Sequence, residues 1–166
     1  KLIPNPNEMK RFKLKFSKEF YILAIFSLLC FSFSIFRWQY TESWKYIFLN
    51  WNLFLAFIPW ALSRFIVNRP KLVKRKSALL VLGVVWLLFF PNAPYILTDL
   101  FHLKHQKGAP MWFDMILILT FAWTGLLFAY YSLWDIEKIL AQYISRRWIL
   151  FISSSLLFVG SFGVYI

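Results

Sequence analysis

The fold is decided by the stretch Trp86-Leu-Leu-Phe-Phe-Pro-Asn-Ala-Pro-Tyr-Ile-Leu-Thr-Asp-Leu-Phe-His102. It begins with the pattern of a membrane-spanning helix, and two prolines then interrupt that pattern. The 14 residues from Ser77 to Phe90 form a helix that reaches only about 21 Å across a hydrocarbon layer of about 30 Å. Proline lacks an amide hydrogen and its ring clashes with the preceding turn, so the helix should end or kink at Pro91 and Pro94. This stretch therefore predicts a broken span.

The residues after the break carry the polar groups of the stretch. If an α-helix resumes at Tyr95, then Tyr95, Asp99 and His102 share one face at i, i+4 and i+7. Asn92 lies between the two prolines and can supply polar groups for the freed backbone. Broken backbone at membrane depth is tolerated only where protein or water covers it. The break, with an Asp and a His beside it, is therefore a candidate site.

The composition is that of a membrane protein. The 166 residues are 60% hydrophobic and 22% aromatic, and 16% are charged, against about 25% charged residues in soluble domains. Several apolar runs have the length that a membrane span needs. We predict an all-α membrane protein with five transmembrane helices, the third broken at Pro91 and Pro94, at about residues 20–36, 46–67, 77–103, 112–134 and 148–166. Residues 135–147 are predicted to form a cytoplasmic amphipathic surface helix.

The distribution of charge predicts the orientation in the membrane. The net charge of +12 is concentrated in the connections between spans, which argues against a nucleic-acid partner. The N-terminal arm and the connections on its side hold 15 Lys and Arg residues, and the opposite connections hold 4. The positive-inside rule therefore predicts a cytoplasmic N-terminus in the bacterial cytoplasmic membrane. Residues 1–19 form the basic arm, and residues 20–166 form the polytopic membrane domain.

With this topology, the unusual polar residues converge on the extracytoplasmic end of the bundle. We predict an outward-facing polar pocket that is formed by Asn52, Asn92, Tyr95, Asp99, His102 and Asp114. Asp99, His102 and Asp114 together form a nitrogen and oxygen ligand set suited to one divalent metal ion. Simpler roles remain open for the same side chains. Asp114 could cap the fourth span. Asn92 could serve only to satisfy carbonyl groups of the broken helix, and Asp99 could pair with His102 or Lys104.

The fourth span has a face of small residues. Asp114, Gly125 and Ser132 fall within about 20° of one another on a helical wheel. Gly125 and Ala129 form a small-xxx-small pair, a pattern that is typical of faces where membrane helices pack closely. We therefore expect Asp114 to point into the bundle and not toward lipid.

Three motifs carry a resemblance to a known family. The segments 50–59, 86–102 and 112–114 with 121–125, above all Phe-Pro-Asn-Ala-Pro-Tyr, resemble the bacterial domain-of-unknown-function family thirteen-sixty-one. The resemblance covers roughly residues 20–166 and implies a multi-pass membrane protein without an assigned activity. Members of the family continue beyond residues 163–166 into a basic segment that contains Trp and a further span. We therefore expect that both termini are trimmed, so a missing outer segment could carry Arg or Asp groups that belong to the site.

Three hypotheses for function follow from these residues. The first is a binding or transport-related protein whose pocket holds a small polar ligand, an ion, a lipid headgroup or a segment of a partner protein. The second is a metal-dependent hydrolase of the outer leaflet, in which Asp99, His102 and Asp114 hold the metal and Tyr95 or Asn92 steadies the oxyanion. The third is a structural subunit of a membrane complex, in which the polar groups lock helices together. The lipid bilayer is a partner in each case.

Overall fold

The computed structural model describes residues 18–102 and 109–162, so most of the predicted N-terminal arm and the loop with His105 lie outside the described residues. All regular elements in these two ranges are helical, and neither range contains a strand. In chain order they are α1 (Lys18–Thr41), α2 (Phe48–Val67), α3 (Pro70–Val73), α4 (Lys76–Phe89), α5 (Asn92–Tyr95), a 3-10 helix (Ile96–His102), α6 (Met111–Leu140) and α7 (Arg146–Phe162).

Three stretches among the described residues are long and apolar enough to cross a membrane. They are Lys18–Thr41, Lys76–Phe101 and Met111–Leu140, with mean hydropathy values of 2.0, 1.9 and 1.7. Large apolar side chains such as Leu28 and Leu88 are exposed on these helices, as expected for surfaces that face lipid. The all-α class is confirmed, and the helices indicate a membrane protein.

The core forms around α6. This helix packs mainly against α2 and α1, and also against the broken segment that follows α4. Its buried face includes Leu117, Phe121 and Thr124. Thr124 lies 3.2 Å from the sulfur of Cys30 on α1, and Ser132 accepts a hydrogen bond of 2.6 Å from the Trp86 indole on α4. Long α6 is therefore the helix that the other elements share.

The predicted break is confirmed, since α4 ends at Phe89, two residues before Pro91. The chain resumes as one α-turn and continues as the 3-10 helix. With about three residues per turn, residues three apart are aligned, and Ile96 and Asp99 are both buried. Tyr95 is 49% exposed. The α-helical register that was predicted to align Tyr95 with Asp99 is therefore wrong, because the segment is wound more tightly.

Gly125 lies where the broken segment meets α6. A Cβ at this position would lie 2.8 Å from Ile96 Cδ1 and 3.1 Å from the carbonyl oxygen of Ala93. Both distances are closer than ordinary van der Waals contact, and the second involves backbone. The small-residue face of α6 thus permits the close approach of the broken segment, in agreement with the sequence pattern.

We expect Gly125→Ala to lower the thermal unfolding temperature of the purified protein. Overpacking of this kind costs about 1–3 kcal/mol, which outweighs or cancels the gain of about 1 kcal/mol in helix propensity. Gly83→Ala is the matched control, because nothing lies within 4 Å of a Cβ at Gly83, and it should leave the unfolding temperature unchanged or raise it. Equal increases for the two variants would contradict the close contact at Gly125.

The predicted surface helix at residues 135–147 is wrong. α6 continues without interruption through Asp135 to Leu140, and α7 begins at Arg146. No Pro or Gly separates Trp134 from Asp135, so nothing in the local sequence ends the helix there. Asp135 is also 1% exposed and bound by charged neighbours, as described below. Its charge therefore does not mark the start of a separate surface element.

Candidate functional site

Asn52 and Asp99 join α2 to the broken segment. The side-chain nitrogen of Asn52 donates a hydrogen bond of 2.9 Å to Asp99 Oδ2, and Asp99 is only 5% exposed. Asn50 turns to the other side of α2 and donates to Ser34 Oγ on α1 at 2.8 Å. This agrees with the separation of about 200° between residues two apart on a helix. The structure thus brings together two of the predicted site residues.

Asp114 is bound by Arg37, which lies just after the first span predicted from the sequence, at residues 20–36. Arg37 lies inside α1, which extends to Thr41, and both side chains are almost completely buried. The Nε of Arg37 donates to Asp114 Oδ1 at 2.7 Å, and its Nη2 donates to Oδ2 at 3.2 Å. This is the bidentate geometry that suits a guanidinium and a carboxylate. The alternative role of Asp114 as helix cap is wrong, because Pro110 occupies the N-cap position of α6.

Tyr46 completes this contact from the turn before α2. The Arg37 Cζ atom lies 4.4 Å from the centroid of the Tyr46 ring, which is a cation–π geometry. The ring is buried. The ring therefore packs against the guanidinium and supports the Arg37–Asp114 pair.

Asn92 and Tyr95, two further predicted site residues, have separate surroundings. The side-chain nitrogen of Asn92 donates to the Phe89 carbonyl at 3.0 Å, which stabilises the end of α4 at the break. Tyr95 is half exposed, and the side chain of His102 lies outside the described part of the structure. Within the described residues, no group of three or more His, Cys, Asp or Glu side chains is arranged to hold a metal ion. The metal set of Asp99, His102 and Asp114 stays a prediction.

Sequence reasoning missed a second charged cluster at the other end of α6. Arg64 Nε on α2 lies 3.0 Å from Asp135 Oδ2, and Lys138 Nζ lies 3.3 Å from Asp135 Oδ1. The Arg64 guanidinium also pairs with Glu19 of α1. The spacing of Asp135 and Lys138 at i, i+3 is readable from sequence. Nothing in the local sequence connects Arg64 to Glu19 or to Asp135, because the three residues lie on different helices.

A comparison with known protein families gives a match for this chain. A family model described as "Protein of unknown function (DUF1361)" matches residues 51–166. The chain belongs to the DUF1361 family. This confirms the resemblance that the Phe-Pro-Asn-Ala-Pro-Tyr motif carries. No curated protein and no solved structure matches the chain.

The DUF1361 match divides the polar contacts into two groups. The Asn52–Asp99 hydrogen bond and the Arg64–Asp135 ion pair lie entirely within the matched residues. α1, which supplies Arg37, precedes the matched part of the chain. Of the buried aspartates, Asp114 and Asp135 each have an arginine partner on another helix. Asp99 is the one that lies on the broken backbone of the DUF1361 motif.

Proposed function

We propose that this DUF1361 protein is a multi-pass protein of the bacterial cytoplasmic membrane that binds a small cationic or polar ligand at its extracytoplasmic end through Asp99. In this proposal α2 and α7 are further spans, which makes five. The 20 residues of α2 extend about 30 Å, enough to cross the hydrocarbon layer. The excess of Lys and Arg on the side of the N-terminal arm supports a cytoplasmic N-terminus.

The observation that carries the proposal is the buried carboxylate on the broken segment. Ionisable groups among membrane helices are costly, and they commonly mark ligand or ion sites. Broken helices at such sites supply free backbone groups as further ligands. The Asn52 side chain donates to Asp99 Oδ2, and this hydrogen bond holds the orientation of the carboxylate on the broken segment.

The other two buried aspartates favour a second candidate function, that of a structural subunit. Arg37 occupies both oxygens of Asp114, and Arg64 and Lys138 each contact one oxygen of Asp135. These contacts lock helices together and need no ligand. The hydrolase hypothesis is less favoured, because a metal bound by Asp114 would have to displace Arg37 from a buried pair.

We expect a cation that binds at Asp99 to raise the unfolding temperature of the wild-type protein. The test is thermal unfolding of the purified full chain in detergent with Na⁺, Mg²⁺, Ca²⁺, Zn²⁺, ethanolamine and spermidine. A ligand at 100 times its Kd stabilises by about 2.7 kcal/mol. Asp99→Asn keeps the size of the side chain and should abolish this shift. Glu42→Gln, which removes an exposed carboxylate from the turn after α1, should retain it.

Three results would contradict or replace this function. If none of these compounds stabilises the wild type, or if Asp99→Asn keeps the full shift, the binding proposal fails. If Asp99→Asn and Asp114→Asn alter only stability or assembly, the structural subunit is the better description. Near-stoichiometric zinc that is lost in both variants would instead favour the hydrolase.

A further inference from the structure

We propose that a groove between the C-terminal end of α2 and the first turns of α4 binds one anionic phospholipid, with the phosphate between Arg69 and Arg75. The groove has a volume of about 710 Å³ and is open along one side. Its apolar walls come from α2, α3 and α4 and include Phe65, Leu72, Val81 and Leu82. The groove lies at the opposite end of α2 from Asn52, so the proposal does not depend on the function proposed for Asp99.

The two arginines are available to a ligand. Both are exposed, and neither forms an ion pair with a carboxylate in residues 18–102 and 109–162. The Arg69 Cζ atom lies 4.2 Å from the centroid of the Phe65 ring. This cation–π contact restrains the guanidinium, whose N–H groups lie in the guanidinium plane and can donate to phosphate oxygens. Arg69 is therefore preorganised at the edge of the groove.

The surrounding charge selects an anion. Residues 64–76 contain six Lys and Arg residues and no Asp or Glu. Arg64 is paired with Glu19 and Asp135, and of the other five basic residues in this segment Arg69 and Arg75 line the groove. The first turn of α4, which contributes Ser77 and Ala78 to the groove, adds the partial positive charge of a helix N-terminus. Basic clusters of this kind beside membrane spans attract anionic lipid headgroups.

The apolar surface beside the groove decides in favour of a lipid. Val81, Val84 and Leu88 are more than half exposed and lie at i, i+3 and i+7, on one face of α4. This strip continues from the groove toward the middle of the membrane. A free phosphate ion or an acidic peptide would leave the strip uncovered. A phospholipid covers both the arginines and the apolar strip, because its headgroup is anionic and its acyl chain is apolar.

The test is native mass spectrometry of the purified full chain, titrated with phosphatidylglycerol, phosphatidylcholine or inorganic phosphate. We expect one phosphatidylglycerol per chain, held at least about tenfold more tightly than phosphatidylcholine. Each arginine near an anionic headgroup contributes about fivefold in affinity. The double variant Arg69→Gln/Arg75→Gln should therefore weaken phosphatidylglycerol binding about 25-fold. The matched double variant Arg146→Gln/Arg147→Gln removes the same charge from exposed arginines at the start of α7, and should change binding less than twofold.

A second variant tests the shape of the groove independently of its charge. Ala78→Phe fills the groove while it keeps every basic residue, and it should also weaken phosphatidylglycerol binding. Thermal unfolding without added lipid identifies any variant that has lost its fold, and Ala78→Phe then decides the question. The proposal is overturned if the two arginine pairs lose affinity equally, if the groove variants bind like the wild type, or if inorganic phosphate competes as well as the lipid does.

Discussion

Arg37→Met is expected to lower the free energy of unfolding by about 3–5 kcal/mol, the cost of removing one partner from a buried ion pair. Arg37 is 3% exposed and Asp114 is 1% exposed. Their bidentate contact joins α1 to α6, and Tyr46 covers the guanidinium. Without Arg37 the Asp114 carboxylate remains among helices with no compensating cation at that position. Reversible unfolding of the purified protein in mixed micelles measures the loss.

The double variant Arg37→Met/Asp114→Leu tests whether the loss comes from the uncompensated charge. Replacing both partners by apolar residues of similar volume is often neutral or stabilising. We therefore expect the double variant to recover most of the stability that either single variant loses. Arg147→Met removes an exposed arginine and serves as the control, with an expected change below about 0.5 kcal/mol. A double variant that is as unstable as the sum of the single variants would contradict the pairing.

Arg64→Met should cause the second large loss, about 3 kcal/mol, at the low end of the range for a broken buried pair. Arg64 binds both Glu19 and Asp135, so its removal disconnects α1, α2 and α6 at once. Lys138 remains near Asp135 and compensates part of the charge. Asp135→Asn should cost less, about 1–2 kcal/mol, because Arg64 keeps Glu19 and the amide keeps the shape of the carboxylate.

The order of these losses is the measurable result. Chemical unfolding under identical detergent conditions should rank Arg64→Met as least stable, then Asp135→Asn. Lys138→Met should be near the wild type, since the Lys138 side chain is 47% exposed and surface pairs contribute at most about 1 kcal/mol. If Lys138→Met is as destabilising as Arg64→Met, then Lys138 and not Arg64 is the essential partner of Asp135.

The two ion pairs have a common relation to the membrane. Asp114 and Asp135 are 21 residues apart on α6, which corresponds to about 32 Å along a helix. That distance is close to the thickness of the hydrocarbon layer, about 30 Å. The spacing agrees with a helix that crosses the layer and is held to its neighbours near both boundaries. Between the two pairs, α6 packs by close contact at Gly125 and not by charge.

Several features of the chain could be predicted from local sequence. Pro91 and Pro94 predicted the end of α4, because a missing amide hydrogen acts on the helix that contains it. Gly125 predicted a close approach on α6, and the length of the apolar runs predicted helices. Each of these properties belongs to one segment and its immediate neighbours, so one sequence is sufficient to read it.

Only the tertiary structure decided the partners and the register of the site. Arg37 and Asp114 are 77 residues apart, and nothing in the sequence around either residue indicates that they are in contact. Their contact depends on which helices are adjacent and on how each is rotated about its axis. Likewise, local sequence did not indicate that the chain after Tyr95 forms a 3-10 helix, in which Asp99 is buried while Tyr95 stays half exposed. The sequence by itself determined the helices and the break, and the packing of α1, α2 and α6 determined which aspartates are bound by arginine.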